Sequence, residues 1–208
     1  MTPAATAEVT ATAPTAAATA SATVAATVAA PAEQVVLLDP AGSPVGTMDK
    51  AHVHGFDTPL HLAFSCYGFD HEGRMLLTRR SLAKRAWPGV WTNTCCGHPA
   101  PGEDVESAIR RRLRDELGVE PLSLRPVLPE FRYRAVAPDG IVENEVCPVW
   151  FAELSGDPEP AADEVMEWRW VDPADFLRVV DAMPSILSPW SVLQAEELRA
   201  ERILEAPS

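Results

Sequence analysis

The sequence predicts an α+β domain in which a mixed β-sheet is sandwiched between helices. Three observations predict it. Short apolar runs bounded by turn residues recur between Gln34 and Val171, as strands do. One central stretch, Glu103–Leu117, instead carries Val105, Ile109, Leu113 and Leu117 at four-residue spacing, which is the buried stripe of a helix. Amphipathic stretches close the chain after the last strand. Strands interrupted by a few helices build an α+β layer structure. With 208 residues and 47% hydrophobic content, the chain fills one core and has little room for a second.

Gln34–Asp39 reads as the first strand, closed by the turn Pro40-Ala41-Gly42. His61–Phe69 sets Leu62, Phe64 and Cys66 on alternate positions, so it is expected as one strand. Asp70–Gly73 is a hairpin turn, and Met75–Thr78 is the returning strand. Trp91–Cys95 is a further strand that runs into the Gly-Pro-rich loop Gly97–Gly102. The helix Glu103–Leu117 follows, with Gly118 where a C-terminal cap belongs. Phe131–Ala135, Val142–Glu153 and Glu167–Val171 complete the strands. Pro173 starts a short helix towards Val180, and Pro189–Leu204 is the final amphipathic helix. The domain is therefore expected over residues 34–205.

Residues 1–33 have a different texture. Ala, Thr, Pro and Val dominate, and Glu8 and Glu33 are the only charged side chains. Such a segment cannot bury enough apolar surface to order itself, so a disordered tail is expected. It lacks the basic residues of a secretory or transit signal. No run of about 18 apolar residues suggests a membrane span. Four cysteines without CxxC spacing suit a reducing cytoplasm. A net charge of −13 argues against nucleic acid or an anionic membrane as a partner. A phosphorylated ligand would need a local basic cluster or a bound cation.

One pattern carries chemistry. Gly97, Glu103, Arg111, Leu113, Glu116, Gly118 and Val119 keep the spacing of the Nudix box, so the stretch resembles the Nudix superfamily. Arg112 stands where the box has Glu, and Asp115 replaces another. Nudix hydrolases gather several carboxylates around divalent cations that activate water. Arg112 removes one negative charge from that row and adds a positive one. Glu116 lies four residues on, towards the same side of the helix. One carboxylate can then hold one Mg²⁺ against a diphosphate while the Arg neutralises it directly.

A second group is scattered. His54 and His61 flank Phe56-Asp57-Thr58-Pro59, His98 follows Cys96-Gly97, and Glu143 and Glu145 are two apart on an expected strand. Residues two apart on a strand share a face. Adjacent carboxylates repel unless a cation or proton lies between them. Three imidazoles with two carboxylates would suit Zn²⁺, Mn²⁺ or Mg²⁺.

Longer strings join these groups. They are HLAF at residues 61–64, TRR at 78–80, AWPGVWTN at 86–93, CGHP at 96–99, ELGVE at 116–120, FRYRA at 131–135, GIVENEVCPV at 140–149 and SPW at 188–190. Together they resemble type I isopentenyl-diphosphate isomerases, over roughly Glu33 to Arg199. The resemblance implies a Nudix-like fold and interconversion of isopentenyl and dimethylallyl diphosphates by proton addition and elimination. It implies His54, His61, His98, Glu143 and Glu145 as ligands of Mn²⁺ or Zn²⁺, and Glu116 as the holder of Mg²⁺ on the substrate. It implies Cys96 and Glu145 as the acid–base pair, Tyr133 as the phenol assisting Glu145, and Trp190 as the aromatic over the reacting carbons. Lys50, Arg80, Lys84 and Arg112 would bind the diphosphate. Cys96, directly before Gly97-His98, is chosen over Cys95. The expected partner is a prenyl diphosphate, with no obligatory protein partner evident. A diphosphate hydrolase and a structural metal domain are the competing readings.

Overall fold

The computed structural model describes residues 33–204. The expected tail, apart from Glu33, lies outside them. The hairpin β1 (Gln34–Leu38) and β2 (Pro44–Asp49) leads into a four-residue turn of helix, α1 (Lys50–Val53), capped by Asp49. β3 (His61–Leu62), β4 (Phe64–Phe69), β5 (Met75–Arg80), β6 (Trp91–Thr92) and β7 (Cys95–Gly97) follow. After α2 (Val105–Leu117) come β8 (Pro121–Leu128), β9 (Arg132–Val136), β10 (Val142–Val146), β11 (Val149–Leu154) and β12 (Val165–Val171). α3 (Pro173–Ala182) and α4 (Pro189–Ala200) end the domain, joined by a 3₁₀ turn at Pro184–Ile186.

The strands form two sheets among the described residues. The smaller runs β2-β1-β3-β10-β9. The larger runs β12-β5-β4-β11-β8, with β6 paired to β5 and β7 to β4. The larger sheet is the sandwiched layer that the sequence predicts. On one face, Phe64, Cys66, Leu76, Ala152 and Leu154 form a core with Ile109, Leu113 and Leu117 of α2. On the other, Tyr67, Met75, Leu77 and Phe151 meet Phe176 and Leu177 of α3 and Leu198 of α4. Each fully buried Leu, Ile or Phe contributes roughly 1.5–3 kcal/mol. The central helix begins two residues later than expected because Asp104 caps it, accepting from the Ser107 amide at 2.9 Å. Gly118 ends it at φ 64°, as expected.

Three expected strands prove to be broken, two of them between the sheets. His61–Phe69 divides at Ala63, and Val142–Glu153 divides at Cys147-Pro148, where the proline has no amide hydrogen for a ladder. Both breaks lie side by side. β3 pairs in parallel with β10, and β4 with β11, so the chain passes from one sheet to the other twice along one seam. Ala63 N donates to Val146 O at 2.9 Å and Ser65 N to Pro148 O at 3.1 Å, which keeps the seam bonded across the break. Trp91–Cys95 also divides, into β6 and β7. β4 is buried on both faces rather than alternating, because it has a helical layer on each side. β2, β8 and α1 carry no clear apolar period in the sequence and went unrecognised.

Candidate active site at the seam

The seam brings four distant segments together. β3 supplies His61, and β10 supplies Glu143 and Glu145, with Glu145 opposite His61 in the parallel register. His54 is the residue that ends α1, and His98 follows β7. The three imidazole rings stand 5.1–5.6 Å apart, centre to centre. Glu145 Oε1 lies 3.4 Å from His61 Nε2 and 3.2 Å from His98 Nε2. Glu143 Oε2 is 2.9 Å from His54 Nε2 but is not aligned with it as a hydrogen bond. One ligand atom each from His54, His61, His98 and Glu145 falls within 4.8 Å of the others.

These atoms are short of partners. His54 Nε2, His61 Nε2, His98 Nδ1 and Glu143 Oε2 are buried and make no hydrogen bond. His61 Nδ1 is held by the Pro59 carbonyl at 2.9 Å, which makes that nitrogen the N–H donor and turns the Nε2 lone pair towards Glu145. A lone pair facing a carboxylate needs a cation between them, so the residues fit a divalent metal ion. Burial, with His61 adding to it, lowers the His54 pKa to about 4; burial also lowers His98 to about 4. Both are then neutral imidazoles with a free lone pair, the form that ligates. Burial and the neighbouring Glu145 push the Glu143 carboxyl well above the usual range.

Beside this cluster opens a pocket of about 550 Å³. Every candidate site residue lines it except His61, which is the fully buried back of the cluster, and Glu116, which lies beneath the basic rim beside a small void of about 30 Å³. The Tyr133 and Trp190 rings are 6.0 Å apart on one wall, with Trp87 edge-on to Trp190 at 5.6 Å. Burial, with Glu145 next, holds the Tyr133 phenol well above its ordinary pKa. Burial pushes the Cys96 thiol up to about 11, with the neighbouring Ser65 hydroxyl opposing it. Cys95 turns to the other face of the sheet, into the core beneath α2.

The cations form the pocket's other end. Lys50 meets Glu33 at 2.6 Å, Lys84 pairs with Glu164, and Arg112 Nε donates to Glu116 Oε1 at 2.6 Å. Arg112 also approaches Glu164 at 3.4 Å. Burial alone would lower the Arg112 pKa, yet Glu116 keeps it above its ordinary value. Arg80 donates to the Ala86 and Trp87 carbonyls, and its guanidinium sits 5.3 Å from the Trp190 ring centre. Arg85 also reaches this rim. The sequence reasoning missed Glu33, Glu164 and Arg85 because nothing in their local spacing marks them. It also missed Ser65 and Asn93 beside Cys96, although Asn93 lies inside a string already singled out.

Residues 59–190 match the NUDIX domain family. The fold is shared with the crystal structure of a Deinococcus radiodurans protein, at a TM-score of 0.62 and 21% identity over 81% of this chain and 98% of that one. Fold and family match thus define a Nudix-domain protein, with Arg112 on its central helix. An isopentenyl-diphosphate Delta-isomerase of Klebsiella pneumoniae is 56% identical over 172 residues, covering 83% of this chain and 94% of the relative. One from Frankia alni is 58% identical over 162 residues, covering 78% and 84%. The chain belongs to the isopentenyl-diphosphate Delta-isomerase family.

Proposed function

We propose that this chain interconverts isopentenyl diphosphate and dimethylallyl diphosphate, with Cys96 and Glu145 as the two proton-handling groups. The observation that carries the reading is one pocket lined by a thiol, a carboxylate amid three imidazoles and an indole, with cations at its far end. Lys50, Arg80, Lys84 and Arg112 bind the diphosphate and direct the hydrocarbon end inward. The Glu145 carboxyl, assisted by the Tyr133 hydroxyl, gives its proton to the terminal carbon of the double bond. Positive charge develops on the neighbouring tertiary carbon, where the Trp190 face lowers its energy by roughly 2 kcal/mol or more in a dry site. The Cys96 thiolate takes a proton from the adjacent methylene, and the electron pair left behind forms the new double bond. The reverse direction uses the same groups with their protons exchanged.

The His54, His61, His98, Glu143 and Glu145 side chains would hold Zn²⁺, Mn²⁺ or Mg²⁺, and Glu116 would hold Mg²⁺ on the diphosphate. Such cations supply charge that polarises the Glu145 carboxyl and screens the phosphates. Displacement of water by the bound substrate would keep the cation from being captured as an alcohol. The four cysteines are all free thiols, which suits a cytoplasmic enzyme.

Proton NMR of isopentenyl diphosphate with the chain in D₂O, with Mg²⁺ and trace Zn²⁺, tests the reading. Dimethylallyl diphosphate carrying deuterium is the expected product. Release of phosphate without a double-bond shift would overturn it in favour of a hydrolase.

A further inference from the structure

Beneath Cys96 lies a set of fully buried polar side chains: Ser65, Asn93, Gln194 and Tyr67. Their donors and acceptors can be counted. Both amide hydrogens of Asn93 are spent on backbone carbonyls, those of Cys66 at 3.0 Å and Cys95 at 2.9 Å. Asn93 Oδ1 is therefore only an acceptor. It receives the Thr92 hydroxyl at 2.8 Å and the Trp190 indole N–H at 3.0 Å, and it faces Cys96 Sγ at 3.2 Å, so the Cys96 S–H is a third donor aimed at it. On the sulfur's other side stands Ser65 Oγ, at 3.3 Å. Tyr67 Oη donates to Gln194 Oε1 at 3.0 Å, and Gln194 Nε2 donates to Ser65 Oγ at 2.8 Å. Cys147 Sγ lies 3.5 Å from Ser65 Oγ, and either atom of that pair can donate. The single Ser65 proton thus faces two sulfurs, of which Cys96 is the nearer at 3.3 Å.

We propose that Ser65 and Asn93 are positioning residues that cradle the Cys96 sulfur between one donor and one acceptor. The inference rests on the isomerase reading above. A sulfur that alternates between thiol and thiolate needs both partners, since Asn93 Oδ1 accepts from the thiol and the Ser65 hydroxyl donates to the thiolate. Asn93 has a second effect. It holds the same oxygen against the Trp190 indole, and so fixes the proton acceptor relative to the aromatic wall. Neither residue touches the basic rim, so the cradle acts on proton removal and leaves diphosphate binding alone.

The test is Ser65→Ala in D₂O, followed by NMR of both diphosphates. Loss of one hydrogen bond to a charged sulfur lowers kcat by on the order of 10- to 100-fold. KM and the affinity for inorganic diphosphate with Mg²⁺ stay near those of the unaltered protein. A cation that waits longer for Cys96 returns its proton to Glu145 more often. The ratio of deuterium in recovered isopentenyl diphosphate to deuterium in dimethylallyl diphosphate therefore rises. A merely structural defect lowers both together, so an unchanged ratio, or an unchanged kcat, overturns the cradle. If Ser65→Ala loses diphosphate binding, the decision passes to the Raman S–H band of the unaltered protein that disappears in Cys96→Ala. A band shifted below that of a free thiol supports donation to Asn93, and an unshifted band refutes it. If the unaltered protein makes no dimethylallyl diphosphate, the isomerase reading fails, and the Raman band still decides the hydrogen bond.

Discussion

Cys95 is 3% exposed in the core beneath α2, while its neighbour Cys96 lines the pocket. Strand alternation separates the two and puts Cys96, the residue directly before Gly97-His98, on the pocket side. Cys96→Ala is expected to cut turnover by about 10²- to 10⁴-fold with the melting temperature preserved. Cys95→Ser buries a hydroxyl, so it should cost about 1–3 kcal/mol in urea unfolding and leave turnover near normal. Turnover lost in Cys95→Ser but kept in Cys96→Ala would reverse the assignment. Glu33 was not legible, because its role depends on a fold that returns Lys50 and Arg112 to it. Lys50 keeps its carboxyl below the ordinary pKa, so it is charged at neutral pH and competes with an incoming diphosphate. Glu33→Gln should therefore lower KM several-fold with little change in kcat; a higher KM would mean that Glu33 orients the lysine instead.

The helix α2 was the most legible element, because its four-residue stripe, its cap and its closing glycine all agree. It is also tied to the loop before it by a pair that can be read by pH. Arg111 donates to both Glu103 oxygens, at 2.9 and 2.8 Å, and holds that carboxyl below its usual range. The pair's contribution is complete above the unfolded carboxylate pKa of about 4.3 and is lost as pH falls through the lowered folded value. Glu103→Gln should thus melt lower than the unaltered protein at pH 7, by at most about 1 kcal/mol for a pair this exposed. The gap should close on acidification, and a gap that widens would refute the pairing. At the other end, Gly118→Ala sets a Cβ 3.2 Å from the Glu159 carbonyl at a positive φ, costing about 1 kcal/mol or more in a thermal melt. The broken strands were illegible because periodicity cannot show that a chain has changed sheets, although Pro148 marks one of the breaks.

At the scale of the whole molecule, an acidic chain sets Lys50, Arg80, Lys84, Arg85 and Arg112 around one opening, the local basic cluster that its charge balance requires of a diphosphate ligand. The site could be assembled from sequence only through the resemblance, since spacing alone does not bring His54, His98 and Glu145 together. Imidazoles gathered without partners should make the fold respond to metal. Saturating Mn²⁺ or Zn²⁺ should raise the melting temperature by about 5–10 °C over chelator-treated protein. His61→Ala should abolish that difference, and a melt indifferent to both would argue against the metal site. The double crossing between the sheets has a consequence for errors. In an ordinary sheet, a strand that slips by one residue turns its own side chains to the wrong face, and only that sheet's core resists the slip. Here β3 continues into β4 and β10 into β11, so a slip in one sheet is forced upon the other. The same slip would take His61 from Glu145 and pull Ser65 from beneath Cys96, and the core on both faces of β4 would reject it. The chain thus proofreads the register of its reactive groups through the packing of residues that touch no substrate.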